Sequence, residues 1–410
     1  MTATGLRPAV IVHGALDASR PDERDTLQQV DEIAGALQRL GHQVEIVALG
    51  LDLSPLARVP RSALVFNMVE AIGGDGRLLR LPAAVMEHFN LTFTGSPAMA
   101  LALTTDKVLT KRALGACGLA VPETIEAGSP TRKGERYIVK PLAEDASFGL
   151  DADSVVAAED VAAEIARRAK RFGGRWFAER YIEGREINVS IVEDGDGLPK
   201  VLPPAEIEFV GYAPDRPRIV DYEAKWLEES HAYANTPRRF IDRTAEAALI
   251  DELEHACMVA WRTLGLAGYA RVDFRVDAAG KCYILEANAN PCLARDAGFA
   301  AAVTEAGLAV SVYGPGRDRS PAGPAGQSAQ IQVRRPPVRR RGRQPEGARR
   351  RPLAARAGRR LLLSRNPLRQ HWRHRRRRRR SALRTHSRRG HRAQGERPLP
   401  RMPARRYRAV

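Results

Sequence analysis

Paired cysteines are missing from this chain. Its four cysteines (Cys117, Cys257, Cys282 and Cys292) form no CxxC pair, which argues against a disulfide framework and against a cysteine zinc site. Five histidines precede residue 316, scattered, with no two at metal-ligand spacing. Also absent are a secretory leader and any apolar run of membrane length, so the default expectation is a soluble, cytoplasmic protein with no membrane partner. The last gap is one of residue type. From residue 316 onward there are 32 arginines, no lysine and only three acids, Asp318, Glu346 and Glu396. Before it stand 34 basic and 45 acidic residues. The formal charge of +18 over 410 residues therefore describes neither part. An acidic body carries a basic tail, and the length allows two or three domains with a sizeable core.

What is present in residues 8–95 is alternation of strand and helix. Residues 9–13 read as a short apolar strand. Residues 26–40 have helical spacing at Leu27, Val30, Ile33, Ala34 and Leu37, with Gly41 placed to end the helix. Strands follow at 44–48, 63–67 and 91–94, the last after a helix near 79–88. This rhythm predicts a parallel sheet. Gly73-Gly74-Asp75-Gly76 does not fit a dinucleotide fingerprint and reads as a turn.

The texture changes at Ser96. A helix over 101–117 carries Asp106-Lys107 and Thr110-Lys111. A strand over 137–141 ends in Lys140-Pro141 and is followed by a small-residue loop, 143–150, with Ser147 and Gly149. A lysine at a strand end before such a loop is a plausible phosphate clamp, a point charge beside backbone N–H groups. Strands over 176–181 and 187–192 flank Glu183-Gly184-Arg185-Glu186. Tyr222-Glu223-Ala224-Lys225-Trp226 follows a proline-rich loop. A long amphipathic helix spans 244–264, with Asp242 or Thr244 as cap and Gly265 as stop.

Residues 268–289 then read as a hairpin. Ala270, Val272, Phe274 and Val276 fall on one face, and Tyr269, Arg271, Asp273 and Arg275 on the other. With residues 277–280 as the loop, Val276 pairs with Lys281 and Arg271 lies opposite Glu286. Asp273 is then diagonal to Glu286, and Asn288 lies opposite Tyr269. One face gathers Arg271, Asp273, Glu286 and Asn288. Two carboxylates and an amide are hard oxygen ligands suited to magnesium. The same spacing also fits an amphipathic hairpin with a solvated polar face.

Six stretches in order, VFNMVEAIGGDGR, FTGSPAMALALTTDKVLTKRAL, YIVKPLAEDASFG, FAERYIEGREINVSIV, DYEAKW and GYARVDFRVD…YILEANANP, resemble the ATP-grasp superfamily, specifically the D-alanine–D-alanine ligases. The match runs from about residue 66 to 307. It implies an α/β ATP-grasp fold with an N-terminal Rossmann-like pre-ATP-grasp domain at 1–95. A central ATP-grasp subdomain at 96–185 and a C-terminal subdomain with the metal site at 186–315 would follow. It also implies an ATP-dependent carboxylate–amine ligase using magnesium or manganese, acting on an amino acid or other carboxylate and an amine, with a homodimer by analogy. Carried over by residue, Lys107 and Lys140 contact ATP phosphates and the loop from Ser147 to Gly149 closes over them. Glu179 and Ile182 sit at the adenine hinge, Glu186 bonds the ribose, and Lys225 reaches the terminal phosphate. Asp273, Glu286 and Asn288 hold the metal, and Arg271 stabilises the tetrahedral intermediate. Both chemical steps, carboxylate attack on the γ-phosphate and amine attack on the acyl phosphate, build negative charge that such cations neutralise.

The departures fall elsewhere. His13-Gly14-Ala15-Leu16-Asp17 offers no clear match for the acid that anchors the first amino group. The family's loop serine falls on Ala146, beside Ser147, and its tyrosine after YEAK falls on Trp226. Cys292 and the ARDAGFA stretch replace the glycine and carboxylate-binding serine. The resemblance implies a closing helix after Gly307, which the tail does not supply. For the tail, 316–410, with six consecutive arginines at 375–380, three readings compete. It is a disordered basic arm that binds nucleic acid, a solvated tail with no partner, or a stretch read out of frame. On the first, the alternative function is a degenerate ATP-grasp scaffold that binds nucleic acid through the tail.

Overall fold

Every residue of β1 (Ala9–Gly14) is buried, as a strand covered on both faces of a parallel sheet must be. The computed structural model describes residues 7–17, 20–125, 129–313 and 328–334. Helix α1 (Pro21–Arg39) starts five residues before the apolar periodicity implies. Proline at its first position is already set for a helix and has no N–H to satisfy. Then come β2 (Val44–Leu49), β3 (Leu64–Asn67), α2 (Arg80–His88) and β4 (Thr92–Thr94), with β1 parallel to β2 and β3, and β3 parallel to β4. The glycine cluster is a turn, with Gly73 and Gly74 at φ of 60° and 74°.

The single helix expected over 101–117 is two, α3 (Ala98–Thr105) and α4 (Lys107–Ala116). Asp106 breaks them: its backbone is extended and its carboxylate accepts from the N–H groups of Val108 and Leu109. Aspartate is a strong N-cap, and here that preference overrides continuous helical periodicity. Capping also fixes the direction in which Lys107 and Lys111, one turn apart, leave α4.

Strands β5 (Thr124–Ile125), β6 (Arg136–Pro141), β7 (Val155–Ala157) and, after α5 (Val161–Phe172), β8 (Trp176–Arg180) form an antiparallel sheet in the order β5-β8-β6-β7. It has a small core of its own around Tyr137, Val139, Ile165 and Trp176. The expected boundary after residue 185 falls at the start of the next sheet. That sheet comprises β9 (Arg185–Glu193), β10 (Pro199–Val201), β11 (Ala205–Ile207), then, past α6 (Tyr222–Trp226) and α7 (His231–Ala234), β12 (Arg238–Phe240). Helix α8 (Ala247–Leu264) leads to β13 (Tyr269–Val276) and β14 (Cys282–Asn288), giving the order β12-β11-β9-β13-β14 with β10 on β9. Neither Asp242 nor Thr244 caps α8, which starts at Ala247 with no side-chain cap. The Asp242 carboxylate closes a turn on Thr244 instead, and Gly265 ends α8 at φ 66° as expected.

After α9 (Gly298–Glu305), a strand rather than a helix follows Gly307. β15 (Ala309–Tyr313) pairs with β16 (Ser328–Arg334), and β16 lies parallel to β4, completing a first sheet ordered β15-β16-β4-β3-β1-β2. β16 comes from the arginine-rich stretch where composition suggested no element; its Ala-Gln-Ile-Gln-Val run has strand alternation. Expectations for the tail at 316–327 and beyond residue 334 lie outside the described residues. One core joins the first and third sheets, running from Val10 and Val65 through Leu101 and Leu114 to Ile187, Leu253 and Phe274. Helices α3 and α4 contribute to that shared core, and α4 also packs Val108 against Leu142 and Phe177 beside the small sheet.

Gly184, at the entry to β9, has φ 144°, and a Cβ there would lie 2.0 Å from the Val276 carbonyl oxygen. No side chain fits without separating β9 from the end of β13. Gly184→Ala is expected to destabilise the fold by about 2 kcal/mol or more, read as a lower urea midpoint. An unchanged midpoint would refute this packing.

Candidate active site

The register of β13 and β14 decides which polar side chains meet. The loop holds five residues, 277–281, not four, and Asp277 Oδ1 ties it by accepting from the N–H groups of Ala279 and Lys281 at 2.9 and 3.0 Å. A second shift follows at Leu285, a β-bulge. Asp273 consequently faces Glu286 directly and Arg271 faces Asn288, in place of the expected Arg271–Glu286 and Tyr269–Asn288 pairs. The cause is the pleat. Ile284 and Glu286, two residues apart, would share a face in a regular strand. The bulge lets Ile284 enter the core beside Phe274 while Glu286 turns to the cleft.

On its other side Asp273 faces Asn188 of β9, whose Nδ2 donates to Asp273 Oδ1 at 2.8 Å. Arg271 clamps the same carboxylate through Nε at 2.7 Å and Nη2 at 2.8 Å. Burial pushes the Asp273 carboxyl above its ordinary range against the pull of Arg271. Burial acts on Glu286 in the same sense, but Lys107, Lys140 and Arg271 outweigh it and hold Glu286 at about 2. Asn288 Oδ1 accepts from the Asn290 N–H at 2.9 Å.

The lysines approach from the other sheet and from α4. Lys107 Nζ donates to the Glu144 carbonyl at 2.8 Å and to Asp145 at 3.0 Å, and stands 3.9 Å from Glu286. Lys140 Nζ lies 2.7 Å from Glu179 Oε1, and Lys111 Nζ 3.0 Å from Glu179 Oε2. The carboxylate of Glu179 thus sits between two ammonium groups. Although burial opposes it, their charges hold Glu179 below the usual carboxylate range. Ile182 is buried beside this strand. Glu186 pairs with Arg275 at 2.9 Å, and burial still raises its carboxyl.

The loop after β6 is latched to the segment around α6. Trp226 Nε1 donates to the Ala146 carbonyl, Ser147 Oγ to the Val220 carbonyl, both at 2.8 Å, and the Tyr222 N–H to the Leu150 carbonyl at 3.1 Å. Ala146 and Ser147 sit at φ 59° and 58°, a left-handed pair without glycine, so the latched loop is held under backbone strain. Gly149, at φ 66°, leaves no room for a Cβ, which would meet Trp176 at 2.8 Å.

These groups line a cleft of about 480 Å³, which brings together Lys107, Lys140, Ser147, Glu179, Ile182, Glu186, Lys225, Arg271, Asp273, Glu286 and Asn288. Of the expected residues only Gly149 is outside it, shaping the loop from behind. A second compartment of about 630 Å³ meets the first at Asp145, Lys225, Arg271, Asn288 and Cys292. Asp25 and Glu70 line it, two acids outside the stretch at residues 13–17, which offered no clear match for the anchoring acid. Asp25 accepts from Cys292 Sγ at 3.4 Å. Five residues were given no site role from sequence: Lys111, Asn188, Arg275, Asp25 and Glu70. Lys111 had a local signal, the i, i+4 spacing from Lys107, and Arg275 had another, its place on the polar face of β13. The other three depend on cross-strand register or on distant elements.

Two sheets enclosing a lysine-rich cleft, with carboxylates on a facing hairpin, are the architecture of the ATP-grasp fold. The family model for the D-ala D-ala ligase C-terminus matches residues 131–312. The uncharacterized protein y4sG of Sinorhizobium fredii is 30% identical over 296 residues, 68% of this chain and 83% of that protein. The D-alanine–D-alanine ligase of Bordetella petrii is 30% identical over 287 residues, 68% of this chain and 82% of that one. A crystal structure of D-alanine–D-alanine ligase from Bacillus anthracis shares the fold, with a TM-score of 0.58 at 21% identity, over 74% of this chain and 93% of that one. Another structure of that ligase, complexed with ATP, gives 0.55 at 19% identity, over 74% and 92%. The chain belongs to the D-alanine–D-alanine ligase family.

Glu179→Gln would leave two buried ammonium groups facing an amide, and should cost about 3 kcal/mol or more at neutral pH. Because the folded carboxyl titrates below its ordinary 4.5, its contribution is complete above that pH and is lost as pH falls below it. The gap in urea midpoint between wild type and Glu179→Gln should therefore narrow in acid. A gap independent of pH would show that the ion pairs are not its source.

Proposed function

We propose that this chain is an ATP- and magnesium-dependent ligase that joins a carboxylate substrate to an amine through an acyl phosphate. One observation carries the reading: Asp273 lies between Asn188 and Glu286 in the register, beside Asn288, in a cleft that also holds Lys107, Lys140, Lys225 and Arg271. The ATP bound by the Bacillus anthracis relative supports the choice of nucleotide.

Asp273, Glu286 and Asn288 are oxygen donors of the kind magnesium or manganese accepts. Asp273 is neutralised by Arg271, and Glu286 is held ionised by surrounding cations, so a divalent ion would exchange places with charges already there. No group of three histidine, cysteine or acidic ligands occurs among the described residues. The site thus relies on the amide and on phosphate oxygens to fill its shell. When bound, the metal supplies charge neutralisation at the phosphates.

Lys107 and Lys140 contact the ATP phosphates, with the loop from Ser147 to Gly149 over them. Ile182 and the backbone beyond Glu179 seat the adenine, and Glu186 bonds the ribose hydroxyls. The substrate carboxylate attacks the γ-phosphorus as its bond to the bridging oxygen of ADP breaks, with Lys225 at the terminal phosphate. The amine then attacks the acyl carbon and phosphate leaves, while Arg271 balances charge on the tetrahedral oxygen. Asp25 and Glu70, in the second compartment, suit a substrate ammonium. By family analogy the enzyme is a cytoplasmic homodimer. The nucleic-acid reading rests on the tail, residues 316–410, of which only 328–334 are described.

The test is ADP release with Mg-ATP, screened against D-alanine and a panel of other amino acids. Amino-acid-dependent release is expected, abolished by chelation of the metal and reduced at least about a hundredfold in Lys225→Ala and Glu286→Ala. Turnover unchanged in both variants would sink the site assignment.

A further inference from the structure

We propose that Lys111 is a positioning residue that sets the phase of β14, and thereby aims Glu286 and Asn288 at the divalent cation. The inference rests on the cation site proposed above. Lys111 is 2% exposed and its ammonium reaches two partners. One is Glu179 Oε2 at 3.0 Å; the other is the carbonyl oxygen of Leu285. Leu285 is the bulge residue, without a partner across the hairpin.

The anchor matters because β14 is the last strand of its sheet. An edge strand presents unpaired N–H and C=O groups on its outer side, and its register is weakly held from there. Two contacts pin that side at the bulge, both from α4 and the segment after it. The Ile284 N–H donates to the Ala120 carbonyl at 2.9 Å, and Lys111 donates to Leu285. If the bulge relaxed into a regular strand, the pleat would return Glu286 to the face of Ile284, which lies in the core. Keeping the bulge is therefore a condition for having both an apolar Ile284 and a cleft-facing Glu286. The same ammonium orients Glu179, which holds Lys140 from its other oxygen. The lysine and the carboxylate assigned to phosphate and metal are thus aligned through one buried cation that does not line the cleft, as supporting partners of metal ligands commonly are placed.

The experiment is Mn²⁺ binding to the full chain with adenylyl imidodiphosphate, followed by electron paramagnetic resonance. Wild type should bind Mn²⁺ and Glu286→Ala should not. In folded Lys111→Met, Mn²⁺ binding should weaken about tenfold or more, while affinity for the analogue without metal changes less than about threefold. A purely structural role would lower the melting temperature and leave Mn²⁺ affinity alone. Mn²⁺ affinity unchanged in Lys111→Met overturns the inference while the cation site stands. No Mn²⁺ binding by wild type overturns both. If Lys111→Met does not fold, Lys111→Arg decides, since it keeps a cation and its donors: near-native Mn²⁺ affinity supports the positioning role, and loss of binding or of folding overturns it.

Discussion

The cleft depends on one constraint: charges removed from water must find opposite charges at close range. An ion taken into a protein interior loses several kcal/mol of hydration, and only well-placed partners restore it. Lys107, Lys111, Lys140, Arg271 and Arg275 enter a space bounded by Asp145, Glu179, Glu186, Asp273 and Glu286, and each is paired at 2.7 to 3.0 Å. The pairs are shared between sheets. Lys111 of α4 and Lys140 of β6 meet on Glu179 of β8, while Lys107 of α4 bridges the loop after β6 to Glu286 of β14. Electrostatic compensation therefore joins the small sheet to the hairpin. It also leaves cations poised where phosphate charge would arrive.

Backbone irregularities do the aiming. Asp106 ends one helix and starts another, which fixes the direction of Lys107 and Lys111. The bulge at Leu285 resolves a conflict between an apolar and an acidic residue spaced for the same face. Ala146 and Ser147, both at positive φ, hold the loop against Trp226 and Val220. Each departs from a regular period of two or 3.6, and each places a charged or polar group that a regular element would have pointed elsewhere.

Much of this was legible in the sequence because it follows from local pattern. The alternation of strand and helix over residues 8–95 gave the parallel sheet. The polar face of β13 identified Arg271 and Asp273, and the ordered motifs placed the lysines. What was not legible depends on register or on tertiary contact. Counting four loop residues put Arg271 opposite Glu286, since neither a fifth loop residue nor a bulge leaves a mark in alternation alone. Helical spacing ran through Asp106 because periodicity does not register a cap. Asn188 becomes a partner of Asp273 only once β9 is known to lie beside β13, and Asp25 and Glu70 reach one compartment from separate elements of the first layer.

That last division has a consequence for specificity. The nucleotide side of the cleft is built from charge pairs that lock two sheets together, so a change in one member disturbs the fold as well as the chemistry. The second compartment is lined by Asp25 on α1, Glu70 after β3, and Cys292 after β14, and it shares Asp25, Asp145, Lys225, Arg271, Asn288 and Cys292 with the cleft. On the function proposed above, substitutions at Glu70 and Cys292 would alter which ammonium and carboxylate groups are accommodated, since neither residue contacts the Glu179 ion pairs. The departures from the family pattern fall largely on that side and on the latch, at residues 13–17, Ala146, Trp226 and Cys292. On the proposed function, such a scaffold could change its amine and acid substrates while keeping the phosphate chemistry, because Glu70 lies outside the cleft and the Glu179 ion pairs lie outside the second compartment.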